Sequence, residues 1–445
     1  MEKILKYLSY TRLIAGSFLG VIIVGTCLLM LPISGRGGQA TPFLQAAFTA
    51  TSSTCVTGLA VYDTYSHWST FGQIVIIALI QIGGLGLMTF VCLFSIFMKK
   101  RIGLHERKMM MVSSGNMRLS GVIQLVRSIA KITFICEGLG ALVLFFAFLP
   151  KMGVGKSIYY GIFHGISAFC NAGFDLFGYR QPDSSLATVE QCPEIMLPLA
   201  VLIVVGGLGF QVWNDLLQNR HHFKQYSLHT KMVLTTTAIL LLGGSFLYLL
   251  FEHKGHMANL SVGQQVLSAG FMSVTTRTAG FAGFDLTRLS VSGSLLTMIL
   301  MLIGGSPGST AGGMKTTTLA VLVLSMIGMA KGESDITVYK RRLNKDLIKH
   351  AAVIFFVYVS TVCCATMFIC ALEPVSLQTV LFETCSALGT AGLTQGLSGM
   401  ASAPTLCILM LLMYGGRIGG LSLLLVFAEK KTEPATKRPA ERLML

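Results

Sequence analysis

Two glycine-centred signatures recur four times along this chain, in register, and that recurrence restricts the fold more than any other feature. The first reads TCVTGL (54–59), FCNAGF (169–174), TRTAGF (276–281) and LGTAGL (388–393). Its central glycines, Gly58, Gly173, Gly280 and Gly392, are 115, 107 and 112 residues apart. The second reads GGLG (83–86), GGLG (206–209), GGSPG (304–308) and GGRIG (415–419), beginning 25, 33, 24 and 23 residues beyond the first. Small residues help apolar helices pack closely, which accounts for single glycines but not for a shared spacing. A near-constant period means one supersecondary unit used four times.

Each unit has the same layout. A full apolar span comes first (13–33, 129–150, 232–251, 350–372), then a shorter amphipathic segment (42–53, 157–169, 262–275, 376–388). The glycine strand follows, and then a second span (70–98, 194–217, 291–330, 404–428). Crossing a bilayer takes about 20 apolar residues, so the spans are long enough and the amphipathic segments are re-entrant. With 53% hydrophobic and only 12% charged residues, the chain is far from a soluble composition. The expected fold is an all-α membrane protein: eight transmembrane helices and four re-entrant pore helices around one central pore. The repeats occupy 13–98, 129–217, 232–330 and 350–428. Cytoplasmic segments fill 1–12, 99–128, 218–231, 331–349 and the tail 429–445.

Charge placement orients the chain. Of 34 Lys and Arg, 25 fall in 1–12, 99–131, 220–231, 331–349 and 430–442, all at the ends of units. This is the positive-inside bias, with both termini in the cytoplasm, and it turns the net charge of +15 from a nucleic-acid signal into a topological one. The first span is too long for a signal-peptide core and is expected to be retained. The basic segments 99–131 and 331–349 could dock a cytoplasmic subunit or anionic lipid headgroups. Ten of eleven cysteines lie in or beside apolar spans with no CxxC or metal spacing, as expected of buried thiols that pack as small hydrophobes. His253 and His256 are expected to be solvated in an outer loop. Nothing points to an enzyme.

Irregular backbone at membrane depth is tolerated only inside protein or along a watery cavity. Four such strands converging on one axis can replace an ion's hydration shell with carbonyl oxygens. The candidate filter is Thr54, Cys55, Val56, Thr57 and Gly58 in the first strand, and Asn171, Ala172 and Gly173 in the second. Thr278, Ala279 and Gly280 form the third, and Thr390, Ala391 and Gly392 the fourth. Each short helix would point its partially negative C-terminus at the axis, favouring a cation. Asp63, Asp175 and Asp285 follow their glycines closely and would line an outer vestibule, although any one of them could equally serve as a turn residue. Arg277 opposes a simple cation pore, and its side chain is expected to point away and tie down backbone behind the filter.

The stretch GGSPGSTAGGMKTTT (304–318) resembles a phosphate loop, but Met314 stands between Gly313 and Lys315, where a Walker A motif puts lysine directly after glycine. It also follows a membrane span rather than a strand, which excludes the nucleotide reading. Gly304, Gly305, Gly308, Gly312, Gly313 and Pro307 cannot hold a regular helix. Ser306, Ser309, Thr310 and Ala311 are small enough for a strand to lie across the ion path, so the third unit's second span should break here. Intramembrane charges are costly and usually functional. Arg417 would hydrogen-bond the loop or repel a passing cation, Lys315 would snorkel outward at the loop's cytoplasmic end, and Glu383 would serve a buried cation or make a structural hydrogen bond.

These four units, with one glycine per strand and the GGSPGSTAGGMK loop, resemble the Trk/Ktr/HKT superfamily of K+ transporters over nearly the whole chain. Eight spans without an extra N-terminal pair are closest to the Ktr type. The resemblance implies K+-selective uptake, in many members Na+-dependent, by a homodimer with one pore per protomer. It implies a cytoplasmic ring of RCK-type regulatory subunits carrying ATP or ADP, with this chain binding only transported K+ or Na+ at filter carbonyls. The family's filter glycines fall on Gly58, Gly173, Gly280 and Gly392, its gating loop on 304–316, and its last-span arginine on Arg417. An alternating-access carrier with a midplane site at the broken span is the rival reading. A non-transporting subunit of a larger complex is a third.

Overall fold

The computed structural model describes residues 10–86, 89–90, 122–181, 185–220, 222–332 and 335–419. The segments expected at 1–9, most of the linker 99–128 and the tail 429–445 lie outside them. The described chain is almost wholly helical, with one two-stranded hairpin, Thr337–Val338 paired to Arg341–Arg342.

The first unit comprises α1 (Tyr10–Leu29), α2 (Phe43–Cys55) and α3 (Thr70–Leu85). The second has α4 (Val122–Met152), α5 (Val154–Cys170), α6 (Pro193–Gly207) and α7 (Phe210–Asn219). The third has α8 (Leu228–Glu252), α9 (Val262–Thr275), α10 (Val291–Ile303) and α11 (Thr316–Ala330). The fourth has α12 (Lys345–Leu372), α13 (Leu377–Gly389) and α14 (Ala403–Ile418). Local chemistry sets the starts of the short helices. Ser261 and Gln264 close a capping box at α9, and Ser376 accepts from Thr379 N at α13. Beyond the glycines, Glu252 accepts from Ser290 N and Oγ, and Glu373 from Ser402 N and Thr405 Oγ1. In both units a carboxylate ending the first span thus anchors the start of the last.

The units close a ring. α3 packs on α5, α6 on α9, α10 on α13, and α14 returns to α2. The second glycine signature lets the second span press on its own unit's short helix: a Cβ on Gly83 would run into Thr54 O, on Gly206 into Phe169 O, and on Gly416 into Leu388 O. Each of those carbonyls belongs to the residue four before its unit's strand glycine.

Among the described residues, four helices are long and apolar enough to cross a membrane, α1, α4, α8 and α12. Apolar side chains such as Ile239, Leu242 and Phe356 are about 70% exposed on them, the pattern of a lipid-facing surface. The second spans differ from expectation. A break was expected only in the third, yet in all four the first helix of the span, 13–16 residues long, ends within two residues of a positive-φ glycine: Gly86, Gly209, Gly304 and Gly419; the stretches expected at 91–98 and 420–428 lie outside the described residues. At about 1.5 Å per residue such helices are 20–24 Å long, short of a bilayer core. In the second unit the chain turns by 93° between α6 and α7.

Candidate functional site

The four strand glycines meet at the centre of the ring. All have positive φ: 98° at Gly58, 71° at Gly173, 79° at Gly280 and 82° at Gly392. A Cβ on Gly58 would lie 2.6 Å from Ala172 O, on Gly173 2.7 Å from Ala279 O, and on Gly280 2.8 Å from Ala391 O; on Gly392 it would strike Thr57 O. Each glycine therefore abuts the carbonyl preceding the next unit's glycine, in cyclic order. Only a residue without a side chain fits there, for dihedral and steric reasons at once.

Two residues before each glycine the backbone is also left-handed, at Val56 (55°), Asn171 (59°), Thr278 (75°) and Thr390 (51°). This double reversal turns the chain out of the short helix and is costly for non-glycine residues. Thr54 and Cys55, expected in the first strand, are instead the last residues of α2, so the irregular backbone begins at Val56. The geometry is held by a set of hydroxyl residues that sequence reasoning missed. Ser52 O, Ser167 O and Ser386 O each accept from the N–H preceding the glycine at 2.8 Å, and Thr275 O does so at 2.9 Å. In three strands the side chain adds a second tie: Gly58 N donates to Ser52 Oγ, Ser167 Oγ to Phe174 O and Thr275 Oγ1 to Phe281 O. A hydroxyl five or six residues before each glycine was the available signal.

A cavity of about 790 Å³ opens outside the ring, lined by the four glycines and by Asp63, Asp175 and Asp285. All three aspartates also cap their own loops. Asp63 accepts from Ser66 N, Asp175 from Phe177 N and Ser185 Oγ, and Asp285 from Thr287 N and Oγ1. The Thr287 hydroxyl and N–H, with Arg288 at 3.2 Å, hold the Asp285 carboxyl below the usual aspartate range. It therefore stays ionised across the neutral range. His256, expected to be solvated, instead stacks on Phe284 and pairs with Glu190 at 3.2 Å on the same rim.

On the other side of the ring runs the irregular segment between α10 and α11. Ser306 N and Thr310 N donate to Gly207 O and Gly206 O, Thr310 Oγ1 to Phe169 O, and Gly308 O accepts from Phe210 N at 2.9 Å. Gly312 lies against Thr390 Oγ1, where a Cβ would collide, and Gly304 sits against Gly313. Arg417 joins three units: its Nη1 donates to Thr310 O, and its Nη2 to Gly83 O and, at 3.3 Å, Gly84 O.

Three other charges lie within or beside the same core. Lys315 does not snorkel away; its ammonium folds back onto Ala311 O (2.7 Å) and Gly312 O (3.2 Å), carbonyls that the irregular backbone leaves without helix partners. Arg277 is buried beside the third strand, and its Nε has no partner among the described residues. Glu383 makes structural hydrogen bonds, one of its two expected roles. It accepts from Thr394 Oγ1, Ser398 N and Ser398 Oγ, pinning the segment after the fourth glycine. Glu383→Ala strands these buried donors, and we expect a cost of about 1–3 kcal/mol. An unchanged Tm in detergent would show that the pinning contributes nothing.

Comparison with known proteins agrees on the architecture. The family described as "TrkH: Cation transport protein" matches residues 14–437. The chain is 40% identical to the potassium/sodium uptake protein NtpJ of Enterococcus hirae, covering all of this chain and 99% of that protein. It is 36% identical to the Ktr system potassium uptake protein B of Bacillus subtilis, covering 98% and 97%. The crystal structure of the potassium transporter TrkH from Vibrio parahaemolyticus superposes with a TM-score of 0.75, covering 95% of this chain and 86% of that one, at 17% identity. These relatives are named for transport and uptake, not for catalysis.

Proposed function

Starting from a chain that belongs to the TrkH family of cation transport proteins, we propose that it takes up K+ through a gated pore on the axis of the four-unit ring. The observation that carries this reading is the cyclic closure of four glycines against four carbonyls, those of Thr57, Ala172, Ala279 and Ala391. Dehydrating an ion requires closely placed oxygens of fixed geometry, and in this reading the strands supply them where side chains are excluded. The short helices α2, α5, α9 and α13 end at the ring, so their C-terminal partial charges favour a cation. The uptake activity named in the relatives supports K+ as cargo, and one of those names adds Na+.

In this reading the units supply eight spans and four re-entrant helices in the cell membrane, with both termini cytoplasmic. Segment 304–316, crossing the axis on the inner side of the glycine ring, is the gate, and Arg417 latches it shut. A homodimer, an RCK-type cytoplasmic ring carrying the nucleotide, and stimulation by Na+ complete the proposal. Purified protein in liposomes, assayed for Rb+ influx with K+ and Na+ varied independently, tests it. We expect influx from this chain alone, competed by K+ and raised by Na+. Liposomes that remain tight to Rb+ and K+ at every Na+ concentration would sink the pore reading.

A further inference from the structure

Helix α7 continues the second unit's second span beyond its 93° turn, and it is hydrogen-bonded to two other elements. At its start, Phe210 N, a donor that the helix itself cannot satisfy, donates to Gly308 O at the apex of segment 304–316. Gly209 precedes it at φ 95°, and a Cβ there would stand 2.6 Å from Pro307 O. The 93° turn between α6 and α7 is fastened by Trp213 Nε1 donating to Val205 O at 2.9 Å. Further along the helix, Asp215 Oδ2 accepts from both the N–H and the hydroxyl of Ser227, each at 2.9 Å. Ser227 is the N-cap of α8, where its Oγ accepts from Thr230 N. Asn219 Nδ2 donates to the other carboxylate oxygen at 2.6 Å.

We propose that α7 is a rigid strut through which Asp215 positions the gating segment, so that α8's cytoplasmic entry and Gly308 move together. This rests on the reading of 304–316 as the gate. A carboxylate sharing one oxygen between two donors on a helix cap fixes direction as well as distance. The bend is locked, so a displacement at Ser227 cannot be absorbed between α6 and α7 and is delivered to the Gly308 carbonyl. Asp215 is thus a positioning residue: it touches neither the glycine ring nor the segment itself.

The test uses the full chain in liposomes with Asp215→Asn, Asp215→Glu and Ser227→Ala, each also in a Ser309→Cys background. Rb+ influx and the K+/Na+ selectivity ratio are measured. So is the rate at which a water-soluble reagent modifies the introduced thiol, with the parent's native cysteines as baseline. We expect Asp215→Asn and Ser227→Ala to raise influx and modification together by about threefold or more. Selectivity should be unchanged, and Asp215→Glu should return both rates to within about twofold of the parent. A variant that merely misfolds would lose selectivity or monodispersity and would not be rescued by Glu. If Asp215→Asn and Ser227→Ala leave both rates unchanged while deletion of 306–311 raises influx, the strut is wrong and the gate stands. If that deletion also changes nothing, the gate reading has failed.

Discussion

Gly280→Ser is expected to lower discrimination between K+ and Na+ by about tenfold or more, equivalent to about 1.4 kcal/mol, while Rb+ still passes. The new Cβ would lie 2.8 Å from Ala391 O and 3.0 Å from Gly173 Cα, and both neighbours are backbone that cannot rotate away. Gly280 also has φ 79°, which L-residues rarely adopt. The strand must move, and the carbonyl it abuts moves with it, so the ring loses the fixed spacing on which ion discrimination depends. Because the closure is cyclic, Gly58→Ser should act in the same direction through Ala172 O. Ion-competition flux in liposomes checks both. Rb+ influx with undiminished K+ preference in the two variants would remove the glycine ring from the filter.

The ring was legible in sequence because periodicity survives where individual motifs are weak. A lone TAGF says little, but four glycines about 110 residues apart had to be explained together, and they lie in contact. The short helices were legible too: the segment expected at 42–53 is α2 at Phe43–Cys55, and that at 262–275 is α9. Ser261 with Gln264 and Ser376 mark their starts by chemistry visible in one dimension. The breaks in the second spans were hidden because GGLG inside an apolar run reads as helix packing. Gly83 and Gly206 do pack in that way, and Gly86 and Gly209 end their helices a few residues later. Nothing in the letters separates the two roles. Likewise the letters do not say which groups Lys315 and Arg277 meet. Only the folded segment determines that one finds the carbonyls of Ala311 and Gly312 and the other finds no partner for its Nε.

Arg417→Gln is expected to raise Rb+ influx by about tenfold in liposomes containing this chain alone. The guanidinium reaches Thr310 O on the segment below the ring and Gly83 O and Gly84 O at the end of α3, and so bridges two separate elements. A planar fork of fixed geometry can span them; glutamine offers one amide and must abandon one side. Hydrogen bonds to charged groups contribute about 1.5–3 kcal/mol each, so losing one would be enough to shift a closed segment towards open by tenfold or more. The rival explanation is that Arg417 acts as a positive barrier on the ion path rather than as a latch. Arg417→Lys separates the two, since lysine keeps the charge but not the fork. If the latch dominates, Lys should behave like Gln and influx should rise. If the barrier dominates, Lys should remain close to the parent while Gln rises. Should both variants match the parent, neither role belongs to Arg417, and the bonds of segment 304–316 to Phe169, Gly206, Gly207 and Phe210 would hold it without the guanidinium.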